Sequence, residues 1–120
     1  MMIKVAEAIA YNKNDRHILI VENNGAIANM QDDAMVEVVC ELGANGPRPM
    51  SVGNIPQFNL GLLVNQVSCE KLIVDAYFEN SYQKALEAFT LNRLINDAKK
   101  ARKVLDALIE ANRGMWPELR

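Results

Sequence analysis

Hydrophobic and polar positions follow a helical period at the start of the chain. Met2, Val5, Ala6 and Ile9 stand at i, i+3, i+4 and i+7 spacing, which predicts a helix that ends near Tyr11. No capping residue introduces this helix, and no leader precedes it. We therefore expect the chain to be a piece of a longer protein.

Two apolar stretches, residues 17–22 and 35–42, predict the first two strands. The first has no polar alternation, which is typical of a strand covered on both faces, so we expect it at the centre of the sheet. The second alternates, with Glu37 and Glu41 facing away from an apolar set of Val36, Val38, Cys40 and Leu42. Residues 47–52 return as an edge strand, because Pro47 and Pro49 cannot donate to a ladder.

Three further helices are predicted after the strands. Asn54 and Pro56 are typical of a helix start, and from residue 58 to 78 apolar residues surround several faces, so we expect this helix to be the core. Ser81 is predicted to cap a short helix, and Gly114 to end the last one. The apolar stripe of the last helix comprises Leu94, Ala98, Ala101, Leu105 and Leu108.

The order of elements predicts an α+β fold. An N-terminal helix is followed by a small, mostly antiparallel three-stranded sheet and by three helices packed on it. A length of 120 residues suits one domain, so we expect a single domain over 1–120.

The amino-acid composition limits the classes of binding partner that we expect. Half of the residues are hydrophobic, 23% are charged and the formal net charge is −2. The chain therefore lacks the large positive charge that would attract nucleic acid or an acidic membrane. No apolar run approaches the ~18 residues of a membrane span. We expect a soluble, cytoplasmic protein.

Few residues suggest catalysis. Cys40 and Cys69 lack the close spacing of a zinc site or redox pair, so buried reduced thiols are expected. His17 is the single histidine, and a structural or solvent-facing role is favoured. Asp32 and Asp33 could form an acid–base pair, although adjacent loop residues more often cap or solvate a turn.

The basic run at residues 99–103 is a candidate anion site. Asp97, Asp106 and Glu110 balance its charge and no aromatic residue is interleaved, so a solvated helix face is favoured over phosphate or nucleic-acid binding.

The loop after the first strand carries the strongest candidate site. Asn23, Asn24 and Asn29 surround Gly25, and loops on rigid strands are common places of recognition. The alternative is that these side chains only bind the backbone of their own loop. We predict a ligand-proximal loop at these three asparagines and leave that alternative open.

This loop also carries a family resemblance. The string N-x-G-x-I-x-N-M-x-x-D-x-x-V-E-V at residues 23–38, followed by Gly-Asn-Ile-Pro at 53–56, resembles the C-terminal region of the family 4 glycoside hydrolases. The likeness covers residues 5–112, about the final third of such an enzyme. It implies the C-terminal part of a second domain of the lactate dehydrogenase and glycosidase type, with the Rossmann domain absent from this chain.

The resemblance implies a parent that hydrolyses phosphorylated glycosides by oxidation and elimination. Such a parent would be a 6-phospho-β-glucosidase-like hydrolase that uses NAD and a divalent metal, usually manganese. The family's cofactor, metal and catalytic motifs have no matching positions here, so we carry over no catalytic, cofactor-binding or metal residue. We expect the chain alone to be inactive.

Three functions follow as hypotheses. The first is the C-terminal fragment of an NAD-dependent 6-phospho-glycosidase, acting as scaffold for the missing Rossmann domain and as subunit interface in a homodimer. The second is a stand-alone binding or adaptor module descended from that domain. The third, an anion-binding protein, would use the basic last helix.

Overall fold

The computed structural model describes residues 2–120 and has two compact units, Met1–Leu60 and Gly61–Arg120. The elements follow the predicted order: α1 (Met2–Ala10), β1 (Asp15–Glu22), β2 (Met35–Gly43), β3 (Gly46–Pro49), α2 (Gln57–Glu79), α3 (Tyr82–Leu91) and α4 (Ala98–Ala111). The helix, antiparallel sheet and following helices are thus confirmed. Packing of the last three helices on the sheet, and a single domain, stay predictions.

The sheet of the first unit is antiparallel, with strand order β1-β2-β3. The central strand is β2, so the prediction that β1 lies at the centre is wrong. Ile18 and Ile20 of β1 are 62% and 68% exposed. An apolar run without alternation indicates two apolar faces, but it does not indicate which edge of the strand is paired.

The inward face of β2 forms much of the first unit's core. The alternation predicted this face correctly, because Val36, Val38, Cys40 and Leu42 are all buried. Ala8 of α1 is also fully buried, and α1 packs against β2.

The hairpin between β2 and β3 depends on glycines. Gly46 has a φ of +88°, which a side chain would strain. At Gly43 an added Cβ would lie 2.7 Å from Oδ1 of Asn12 and 2.6 Å from Oδ1 of Asn14. Because Gly43 has no side chain, the loop after α1 approaches closely, and Asn12 Oδ1 accepts a 2.9 Å hydrogen bond from the Ala44 N–H.

The second unit has a small apolar core of Ala76, Ala85 and Leu105. Partly buried side chains surround it, namely Tyr82, Leu86, Phe89, Ile109 and Leu119. The chain end is held against the start of α3, where the Tyr82 N–H donates to the Arg120 carbonyl at 2.9 Å.

Helix α2 is less buried than its composition predicts. Its buried residues are Val67, Cys69 and Ala76, whereas Phe58, Tyr77 and Phe78 are exposed. The expectation of a helix covered on several sides is therefore wrong for the described chain. Apolar residues on every face indicate that partners are needed, without indicating that the same chain supplies them.

Both later helices begin at capping side chains. Ser81 caps α3 as predicted, with Oγ accepting from the Lys84 N–H at 3.3 Å, and Asp97 caps α4 by accepting from the Lys100 N–H at 2.8 Å. Leu94 is 96% exposed and precedes this cap, so its assignment to the apolar stripe of α4 is wrong. In the part of the chain that the structure describes, every helix is too short or too polar to span a membrane.

Candidate functional site: a loop organised by asparagine

The side chain of Asn23 organises the loop at residues 23–34, which we call the asparagine loop. Its side chain is fully buried. Nδ2 lies 3.0 Å from the carbonyl of Ile27, 3.2 Å from that of Met30 and 3.1 Å from that of Gln31, while Oδ1 accepts from the Ile27 N–H at 2.7 Å. One amide group thus satisfies backbone groups that have no ladder partner.

Backbone bonds close the base of the asparagine loop. The Asn23 N–H donates to the Ala34 carbonyl at 2.8 Å, and the Asn24 N–H donates to the Asp32 carbonyl at 2.9 Å. Asn24 and Gly25 have φ values of +41° and +81°, a region that asparagine and glycine tolerate best. The chain therefore reverses its direction between β1 and β2 at this loop.

A second set of bonds joins the asparagine loop to the segment before α2. Ile27 forms a parallel bridge with Gly53, and the Ala28 N–H donates to the Gly53 carbonyl at 2.9 Å. Asn29 binds the backbone of Ile55 through both atoms of its amide, each at 3.0 Å. The two sequence strings that carry the resemblance are thus in direct contact.

These contacts bear on the three predicted site residues. The side chains of Asn23 and Asn29 bind backbone, and Asn24 Nδ2 lies 3.2 Å from Glu22 Oε2. This geometry supports the alternative that the asparagines organise their own loop. A ligand near Asn23, Asn24 and Asn29 stays a prediction.

The remaining titratable candidates are not arranged as a catalytic site. Cys40 and Cys69 are buried free thiols, as predicted, and burial raises the pKa of each. His17 is half-buried, and its Nε2 has no hydrogen-bond partner. Across residues 2–120, no three His, Cys, Asp or Glu side chains come together as a set that could hold a metal ion.

The charged candidates have structural surroundings. Asp32 and Asp33 are exposed in the asparagine loop. In the basic run of α4 the cationic residues are exposed. Asp106 on the same helix accepts a 2.7 Å hydrogen bond from the Tyr82 hydroxyl, and this bond raises the pKa of Tyr82.

Two open grooves run along α2 and α3. The larger has a volume of about 950 Å³ and mixes apolar residues with Asn65, Glu87 and Arg93. The smaller, of about 500 Å³, is mostly apolar and includes Ile73 and Cys69. Its single lining thiol is the buried one already described, so the smaller groove adds no new reactive group.

Comparisons with known proteins agree with the resemblance. The model of the family 4 glycosyl hydrolase C-terminal domain matches residues 1–95. A maltose-6'-phosphate glucosidase of Bacillus subtilis (strain 168) is 53% identical over 118 residues, which is 98% of this chain and 26% of that protein.

Solved structures match as well. A 6-phospho-α-glucosidase from gut microorganisms, in complex with NAD and Mn²⁺, is 82% identical with a TM-score of 0.98, over all of this chain and 27% of that one. A second, in complex with NAD and glucose-6-phosphate, is 48% identical with a TM-score of 0.96, over 99% of this chain and 27% of that one. The chain thus spans about a quarter of the length of these relatives. The match over residues 1–95 shows that the chain belongs to the family 4 glycosyl hydrolases, as a C-terminal domain.

Proposed function

We propose that this chain is the C-terminal portion of an NAD- and manganese-dependent 6-phospho-α-glucosidase, in which it serves as scaffold and subunit interface. One observation carries the proposal: the whole chain superposes, at a TM-score of 0.98, on a quarter of a solved 6-phospho-α-glucosidase that is 82% identical.

The exposed surface of the chain supports a scaffold role. Large apolar side chains are exposed, among them Phe58, Tyr77 and Phe78, at 75%, 57% and 76%. Extended apolar surfaces mark sites where another protein surface docks. We expect the N-terminal part of the parent, with its Rossmann domain, to cover much of this surface.

The cofactors belong to the rest of the parent. The described residues include no ligand set that fits a metal ion, and the sequence has no glycine-rich dinucleotide turn. NAD and manganese are named for the related structures and are proposed here for the parent only. The 120-residue chain is accordingly proposed to be inactive by itself.

The substrate type is inferred from the relatives. The resemblance implies a 6-phospho-β-glucosidase-like parent family without deciding the anomer, and the related structures at 82% and 48% identity are both 6-phospho-α-glucosidases. We therefore propose the α type, with the β type as the second candidate. A cytoplasmic location and a homodimer complete the proposal, because phosphorylated sugars are intracellular metabolites and the apolar surface favours association.

A chimera tests the proposal. The matching 27% of the gut 6-phospho-α-glucosidase is replaced by this chain, and hydrolysis of p-nitrophenyl α-glucoside 6-phosphate is measured with NAD and Mn²⁺. We expect activity within about tenfold of the unaltered enzyme, a loss no larger than about 1.4 kcal/mol in transition-state stabilisation. The chain alone and the truncated enzyme alone should both be inactive.

Two results would contradict the proposal. The first is hydrolysis by the purified 120-residue chain. The second is a folded chimera that hydrolyses neither the α nor the β substrate, while a matched chimera that carries the Bacillus subtilis segment is active. The stand-alone adaptor and the anion-binding alternatives gain no support from the comparisons.

A further inference from the structure

The free edge of β1 is a surface that the proposed function does not assign. We propose that β1 pairs antiparallel with β1 of a second copy of this chain, around a two-fold axis at Leu19. This inference rests on the self-association in the proposed function and names the surface that carries it. The two sheets would join edge to edge through β1.

The first supporting observation is that this edge is open. In the sheet, β1 hydrogen-bonds to β2 on one side and is the outermost strand on the other. It is eight residues long, and Ile18 and Ile20 on its outward face are 62% and 68% exposed. A long edge strand with accessible apolar side chains is a template for another strand.

The second observation is that this edge lacks the features that block pairing. Residues 17–21 contain no charged residue, proline or glycine, and the structure has no bulge in the ladder between β1 and β2. A charged side chain, a proline or a bulge in an edge strand is a common feature that prevents pairing with another strand. The other edge strand of this sheet, β3, has Pro47 and Pro49 in four residues and is blocked in that way.

The third observation is that β1 is complementary to itself. With Leu19 opposite its own copy, Ile18 lies opposite Ile20, and Arg16 lies opposite Glu22. Each pair occurs twice by symmetry. Isoleucine pairs and opposite charges are favourable across antiparallel strands.

Neighbouring registers lose this match. Two neighbouring registers keep the outward-facing residues of both strands on the same face of the joined sheet. They shift the pairing by two residues, which places Arg16 opposite Ile20 in one register and opposite Asn24 in the other. Neither register forms a charge pair, so the sequence of β1 favours the one centred on Leu19. Because the contact is isologous, it closes at a dimer and does not continue into a fibre.

Charge reversal on the full 120-residue chain tests the pairing. We expect sedimentation to show a species of twice the 13.4 kDa chain mass. Arg16→Glu should raise the dimer Kd at least about tenfold, because two attractive pairs become repulsive. The double variant Arg16→Glu with Glu22→Arg should return the Kd to within about threefold of the original value.

The double variant also separates the dimer from local damage. Within one chain Arg16 lies opposite Glu41 of β2, so Arg16→Glu could weaken the sheet itself. Reversal at Glu22, which lies opposite Met35, does not repair that contact, and so rescue reports the pairing between copies. Arg102→Glu on the exposed face of α4 is the matched charge control and should leave the Kd unchanged.

Disulfide trapping tests the register. A mixture of Ile18→Cys and Ile20→Cys chains should form the mixed disulfide under mild oxidation, because opposite residues bring their Cβ atoms within about 5.5 Å. Either variant alone should cross-link at least about tenfold more slowly, since the diagonal distance exceeds what a disulfide spans.

The outcomes separate this inference from the proposed function. A chain that stays monomeric at high concentration, or a dimer that Arg16→Glu does not weaken, overturns the β1 pairing. An active chimera would still uphold the glucosidase assignment in both cases. Preferred formation of the Ile18→Cys homodisulfide would likewise overturn the register centred on Leu19.

Discussion

Two reciprocal hydrogen bonds, each 3.0 Å long, join the side chain of Asn29 to the backbone of Ile55. Asn29 Nδ2 donates to the Ile55 carbonyl, and the Ile55 N–H donates to Asn29 Oδ1. The residues are 26 positions apart, and Ile55 lies just before α2. One side chain therefore fixes the segment that leads into the longest helix of the chain.

Replacing Asn29 should loosen this segment. Asn29→Ala removes both bonds, and we expect a loss of roughly 1–2 kcal/mol in the free energy of unfolding, because the site is partly open to water. Asn29→Asp keeps the acceptor for the Ile55 N–H and should cost less. Amide hydrogen exchange at Ile55, with urea unfolding, measures both. Asn59→Ala, on the exposed face of α2, is the control, and equal losses at the two positions would contradict the role of Asn29.

Asn23 should contribute more to the stability of the fold than its neighbour Asn24. Asn23→Ala removes the side-chain hydrogen bonds to the buried Ile27 N–H and to the Met30 carbonyl, so we expect a loss of roughly 3 kcal/mol. Asn24 is exposed and bonds a carboxylate at the surface, so Asn24→Gly should change stability by less than about 1 kcal/mol. Urea unfolding followed by circular dichroism compares them. A loss at Asn24 as large as that at Asn23 would contradict the buried network.

The local features of the fold were predictable, and the long-range ones were not. The alternation in β2 and the cap at Ser81 follow from residues close in sequence, and both predictions are confirmed. The edge position of β1 depends on which strands pair, which an apolar run does not encode. The Asn29–Ile55 contact joins distant segments, so no spacing rule could find it. Asparagine is frequent in loops, and only burial distinguishes the role of Asn23 from that of Asn24.

The core of the second unit should depend on Leu105. Leu105 is almost fully buried against Ala76 and Ala85, so Leu105→Ala should cost about 2–5 kcal/mol through lost burial and a cavity. Leu94→Ala makes the same chemical change at an exposed position and should cost less than about 0.5 kcal/mol. The single tryptophan, Trp116, lies beside this core and reports its unfolding by fluorescence. Similar losses for both variants would contradict the assigned core.

The buried thiols predict how stability depends on pH. Burial raises the pKa of Cys40 in the folded chain, so the unfolded chain releases its thiol proton at lower pH than the folded chain does. The contribution to stability is complete below the ordinary thiol pKa of about 8.5 and declines as the pH rises above it. Urea midpoints measured from neutral to alkaline pH should fall, and Cys40→Ala should flatten that fall. An unchanged slope in the variant would contradict this assignment.

The same burial should protect both thiols from reagents. In the native chain Cys40 and Cys69 should react with a disulfide reagent only as fast as the structure around them opens, because the reagent cannot reach a buried thiol. In urea both should react at once. Ala44→Cys, in the exposed hairpin turn, is the accessible control. Rapid labelling of the unaltered native chain would contradict the buried positions.

The closed base of the asparagine loop also determines how β1 and β2 are aligned. Both faces of β1 are apolar, so sliding this strand by one residue would exchange Ile18 for Leu19 at little cost in hydrophobicity. The bond from the Asn23 N–H to the Ala34 carbonyl, directly after the last strand pair, opposes such a slip. A substitution that disrupts this loop would therefore misalign β1 and β2 along the whole hairpin, well beyond the loop itself.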